Sequence, residues 1–90
     1  MDYEYLPGGD LVAKGVDDLA GSRETVEALL VSIAAPRLRE LGVSVPTPLI
    51  DPEHRLYERL AQGDADSAHS RYNALLRRLV SFESARECVG

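Results

Sequence analysis

Apolar residues recur along the whole chain at helical spacing. Leu11, Val12, Val16 and Leu19 share one face of a first helix predicted over 10–20, with Lys14, Asp17 and Asp18 away from that face. Asp10 is the expected N-cap. Gly15 falls on the apolar face. A glycine inside a helix costs ~1 kcal/mol relative to alanine, so close approach by a neighbouring helix is the expected compensation. Gly21-Ser22 then separates a second helix, with Ser22 as N-cap and Glu24 and Thr25 in the first turn, where negative charge suits the helix dipole. Val26, Leu29, Leu30 and Ile33 form its stripe, and Val31, Ala34 and Ala35 widen it. The most apolar stretch of the chain is predicted to be the central helix, covered on more than one side.

Pro36 leaves two readings of that helix's end. Either the helix kinks, or a new turn begins at the proline with Leu38 and Leu41 facing inward and Gly42 as terminator. Residues 43–50 (Val-Ser-Val-Pro-Thr-Pro-Leu-Ile) read as an extended connector whose Val43, Val45, Leu49 and Ile50 stitch it to the domain. Asp51-Pro52-Glu53 is a helix start, a cap followed by proline and an acid. The third helix runs to Gln62 with Leu56, Tyr57 and Leu60 inward, and Gly63 stops it. The last and longest helix spans 66–86, capped by Asp66. Ala68, Tyr72, Leu75, Leu76, Leu79 and Phe82 cluster on one arc of it, with Val80 at the edge. Beyond Phe82 the stripe fails, which predicts a frayed tail over 87–90, and Leu6-Pro7-Gly8-Gly9 ends a short arm over 1–9. The predicted fold is a single all-α domain over 1–90. It is a small four-helix bundle-like arrangement with the Pro-containing connector between the second and third helices. Its core is Val12, Val16, Leu19, Val26, Leu29, Leu30, Ile33, Leu56, Tyr57, Leu60, Tyr72, Leu75, Leu76, Leu79 and Phe82.

Composition adds constraints rather than an activity. One cysteine, Cys88, allows no internal disulfide and predicts a reducing, cytoplasmic setting. No apolar run reaches the length of a bilayer span, and the acidic start is unlike a signal peptide. Arginine supplies nine of the ten basic residues, which points to a GC-rich bacterial genome rather than to a function. The net charge of −5 argues against broad binding to nucleic acid or anionic membrane. That charge is uneven: residues 1–27 carry seven acids against two bases, and residues 67–90 carry two against four.

Candidate chemistry is sparse. Asp51-x-x-His54-x-x-Tyr57-x-x-Leu60 is echoed by Asp66-x-x-His69-x-x-Tyr72-x-x-Leu75, and the two segments hold both histidines. Shared capping chemistry accounts for this. In antiparallel helices the histidines fall roughly 18 Å apart along the bundle, too far to share a metal. No phosphate-binding loop is present, because Pro7-Gly8-Gly9-Asp10 lacks the spacing. The pairs Asp17/Asp18 and Glu24/Glu27 are expected on solvated faces, and Cys88 is an inert thiol. No catalytic residue, cofactor or metal is assigned.

Two function classes remain ahead of a small enzyme using His54 or His69. The first is a non-catalytic interaction or oligomerisation module, a subunit or regulator whose expected partner is itself, as a two-fold homodimer through the second helix or the face of the last, or else another protein. Its expected surface is Leu30, Val31, Ala34, Arg71, Arg78 and Val80, because the second and last helices carry more apolar width than the others cover. The alternative is a nucleic-acid-associated regulator, antitoxin-like or accessory, using Arg71, Arg77 and Arg78.

Overall fold

The computed structural model describes residues 3–89, with side chains to residue 88. They form five helices, α1 (Gly9–Ala20), α2 (Val26–Ile33), α3 (Ala35–Glu40), α4 (Pro52–Gly63) and α5 (Ala68–Val89), and no strand occurs among the described residues. The fold is all-α. The expectations for the ends of the arm and tail that fall on Met1, Asp2 and Gly90 lie outside the described residues.

The fifth helix comes from Pro36, and the second of the two readings holds. Ala34 closes α2 and opens α3, and Pro36 sits in the first turn of α3, where a missing amide leaves no helical bond unmade. Gly42 (φ +85°) ends α3 in the left-handed region. There its amide donates to the Arg39 carbonyl (3.1 Å) while that of Val43 reaches back to Leu38 (2.9 Å). This paired closure turns the chain inward and buries Val43.

The central position of α2 follows from its composition. Ala28, Leu29, Leu30 and Val31 are fully buried in succession, which needs cover on every side, and α2 packs against each of the other four helices. On the α1 side the approach is close because Gly15 has no side chain. A Cβ there would lie 2.4 Å from the Glu27 carbonyl oxygen and 2.4 Å from Val31 Cγ2. On the other sides Leu38 of α3, Val43, and Leu56 and Leu60 of α4 complete the cluster, together with Leu79 and Phe82 of α5. Tyr57 departs from the expected core; it is 40% exposed. Val26, Ile33, Tyr72, Leu75 and Leu76 are half-buried at the margin.

The predicted caps are corrected by backbone geometry. Gly8, in the left-handed conformation, starts α1 ahead of Asp10. Asp10 therefore lies in the first turn, and its carboxylate accepts from Arg78 of α5 at 3.1 Å. Ser22 sits in the turn with φ +59°. The cap of α2 is Thr25, whose Oγ1 accepts from the Ala28 amide at 3.1 Å. Asp51 does occupy the cap position of α4, but in the left-handed region its side chain makes no capping bond. Asp66 lies in the turn before α5, where Asp64 Oδ1 accepts from its amide (3.1 Å). Gly63 is the last residue of α4 rather than its stop, and Asp64 is the C-cap.

Asp18 explains why Thr25 caps α2. Its carboxylate is buried, contrary to the solvated position expected of it. It accepts from Lys14 Nζ (2.7 Å), Thr25 Oγ1 (2.6 Å) and Arg23 Nε (3.1 Å). The Thr25 hydroxyl thus donates to Asp18 while accepting from α2, locking the turn between the two helices. The bond from Lys14, then that from Thr25, holds the Asp18 carboxyl down at about 2.

Neither end is a loose strand. Tyr3 stacks edge-on against Phe82, with ring centroids 5.4 Å apart. Gly8 lies against the Arg78 carbonyl, where a Cβ would come within 2.6 Å. At the other end α5 is helical through Val89. Arg86 Nε donates to the Leu41 carbonyl (3.1 Å), and Glu87 pairs with Arg37.

Candidate interaction face

The six residues expected to form an interaction surface separate into two groups. Leu30 and Val31 are fully buried and Ala34 nearly so; all three belong to the core. Their apolar width is covered inside the chain by the helices packed round α2. Gly15 of α1 lies against Val31, Leu38 of α3 joins the same cluster, and the connector's Leu49 amide donates to Ser32 Oγ of α2 at 3.0 Å. Arg71, Arg78 and Val80 remain on the surface of α5. Arg78 is held by Asp10, whereas no carboxylate among the described residues pairs with Arg71 or Arg77.

Val80 is the informative member of this group. It is 56% exposed at the middle of the longest helix, one of few large apolar side chains left in solvent. Leu76 precedes it by one turn and Tyr72 by two, so the three form a ladder running off the core face. Tyr57 of α4 extends it sideways, its ring centroid 5.8 Å from that of Tyr72. Those are the matching tyrosines of the two Asp-x-x-His-x-x-Tyr segments, and the echo thus places two aromatic rings together at the α4–α5 seam. Burial, and Glu53 nearby, raise the Tyr72 hydroxyl above its ordinary value. Beside Val80 an open groove of about 600 Å³ is lined by Asn73, Leu76, Arg77, Val80 and Ser81. Three residues beyond Val80, Glu83 is half-buried and its carboxyl is raised by that burial, against the opposing pull of Arg37.

The histidines point to no shared chemistry. His54 faces Glu58 and His69 faces Asn73 (3.2 Å), each an exposed pair one turn along its own helix rather than a capping contact. Among the described residues no group of three or more His, Cys, Asp or Glu is placed to hold a metal ion, and no helix is long and apolar enough to cross a membrane. Glu24, expected to be solvated with Glu27, instead receives Arg55 (2.6 Å) and Arg59 (3.3 Å) from α4. Lys14 lies 3.6 Å from Glu27. A second groove, about 480 Å³, lies between the α1–α2 turn and the connector, with Leu19, Pro48 and Ile50 in its wall.

Sequence reasoning places Leu76 and Tyr57 in the core; the arc through Tyr72 and Leu76 to Val80 is also an expected association face, whereas Tyr57 is not part of it. The available signal was the drift of Tyr72, Leu76 and Val80 away from Leu75, Leu79 and Phe82. Compared with protein-family models, curated proteins and solved structures, the chain matches none.

Proposed function

We propose that this chain is a non-catalytic interaction or oligomerisation module, a subunit or regulator working in the cytoplasm, that docks on protein through the outer flank of α5. The observation that carries the reading is Val80. A domain that buries a whole helix of apolar residues leaves this valine in water, joined through Leu76 and Tyr72 to a second partly exposed aromatic, Tyr57. Apolar side chains grouped in this way, with Arg77 and Asn73 at the rim, have the make-up of a small docking patch.

A photo-activatable cross-linking residue placed at Ser81, in the groove wall, tests it in the native cell. Protein adducts are expected from that position and not from the same residue placed at Asp64, in the turn before α5. Equal yields from both positions, or none from Ser81, would refute the reading.

A second reading, a nucleic-acid-associated regulator, draws support from Arg71 and Arg77, which have no carboxylate partner among the described residues. Against it, Asp10 already occupies Arg78. Its signature is retardation of nucleic acid that falls steeply as salt rises, and nucleic-acid adducts from Ser81 in place of protein.

A further inference from the structure

The helix α5 carries two stripes of the same spacing. The first is Ala68, Tyr72, Leu75, Leu79, Phe82 and Arg86, which includes the helix's buried residues. The second is displaced by one residue: His69, Asn73, Leu76, Val80, Glu83 and Glu87. Its alternating steps of four and three are those of a helix–helix seam, and it lies about 100° round the helix from the core stripe. In contrast to the first, its ends are polar and its centre apolar. Proton donors stand at one end (His69, Asn73) and carboxylates at the other (Glu83, Glu87).

From this we infer that the partner at this face is a second copy of the chain, with the two α5 helices antiparallel and a two-fold axis passing beside residue 78. The inference rests on the docking role just proposed for α5 and names its occupant. Residues whose numbers are equally far from 78 then face each other. Leu76 meets Val80 of the second copy, Asn73 meets Glu83, and His69 meets Glu87, each contact occurring twice. Reversal of the stripe is what makes it complementary to itself. A parallel pairing sets Glu83 on Glu83 and Glu87 on Glu87, and a shift of one turn in either direction keeps only one kind of donor–carboxylate pair, Asn73 on Glu87 or His69 on Glu83.

The contacts within the chain are compatible with this register. Arg37 already pairs with Glu87, yet a carboxylate accepts several hydrogen bonds, so His69 of the second copy shares it. His69 contacts Asn73 through Nε2 only, and its other ring nitrogen is available. The stripe is about 27 Å long, but only Leu76 and Val80 supply apolar contact. The pair therefore belongs to the small, transient class of interfaces.

Register and orientation are read directly by cysteine pairing in a Cys88→Ser chain. Two single variants are made, His69→Cys and Glu87→Cys, both at exposed positions. Oxidised together, they are expected to form a mixed disulfide dimer, because antiparallel pairing sets 69 against 87. Oxidised alone, neither should cross-link, since in that arrangement like positions stand about 27 Å apart. In parallel, sedimentation equilibrium of the unaltered chain from about 1 µM to 1 mM should show reversible dimer, weakened at least about tenfold by Val80→Asp. Circular dichroism verifies that this variant is folded. A single-chain mass at every concentration, with no mixed disulfide, overturns the self-pairing. So does a His69→Cys chain that cross-links to itself, which would mean parallel helices. Either result leaves the docking role standing if Ser81 still gives adducts with another protein, so the two readings fail separately.

Discussion

Replacing Gly15 with alanine should destabilise this protein, although the same change in most helices does the reverse. In an open helix interior Gly→Ala gains ~1 kcal/mol from backbone propensity. Here the new methyl carbon would stand 2.4 Å from the Glu27 carbonyl oxygen and 2.9 Å from its carbon, with Val31 Cγ2 also at 2.4 Å. Ordinary contact begins near 3.4 Å, so relief requires a movement of about 1 Å. Val31 is fully buried and cannot swing aside freely, and the Glu27 carbonyl is part of the α2 backbone. The helices must therefore separate, and a gap of 0.5–1 Å already forfeits roughly a quarter to a half of the dispersion energy of the atoms it parts. Overpacking of this kind costs about 1–3 kcal/mol. Set against the propensity gain, the net loss is up to about 2 kcal/mol, a fall in Tm of as much as roughly 16 °C for a domain of this size. Thermal and urea unfolding followed by circular dichroism measure it. An alanine variant more stable than the parent would mean that α1 and α2 do not approach as described. Gly15→Val should be worse than alanine in the same assay.

Three further outcomes are expected. Leu30→Ala, at the centre of the fully buried run of α2, should cost ~2–5 kcal/mol in urea unfolding; a loss below about 1 kcal/mol would place Leu30 at the surface. Thr25→Ala removes both the cap of α2 and a donor to Asp18, and should cost about 0.5–2 kcal/mol, whereas Ser22→Ala should change stability far less. The Asp18 carboxyl sits at about 2 in the folded chain against an ordinary 3.8. Its stabilising effect is thus fully present above that ordinary value, declines as pH falls through the interval, and is gone below the folded value. An acid titration of stability should show this decline in the parent and lack it in Asp18→Asn; identical profiles would remove Asp18 as the cause.

How much of this was legible in the sequence depended on how local its cause was. The stripes of α1 and α2 follow from spacing alone, as do the proline start of α4 and the glycine closure after α3, because each rests on a few neighbouring residues. Two caps differ for reasons outside their own turn: Gly8 starts α1 early and leaves Asp10 to Arg78, and the start of α2 is set by the buried Asp18 rather than by the nearest serine. The surface was misjudged for a similar reason. Leu30, Val31 and Ala34 resemble an interface until the other four helices are packed round α2, and nothing within α2 announces that cover. On α5 the periodicity identified the buried stripe correctly, but it merged with the neighbouring one at Leu76, since two seams one residue apart share an arc.

The bond between Ser32 and Leu49 ties the timescale of a loop to that of the core. Ser32 Oγ donates to the Ala28 carbonyl (2.8 Å) inside α2 and accepts from the Leu49 amide (3.0 Å). That amide belongs to a stretch with no regular backbone ladder, where exchange with solvent deuterium is normally fast. Because its acceptor is a buried hydroxyl on the central helix, it should exchange more slowly than its neighbours Thr47 and Ile50, whose amides have no such acceptor among the described residues. Leu49 also forms one wall of the groove beside the α1–α2 turn. That wall is tied by a hydrogen bond to the buried central helix rather than left hanging from the loop.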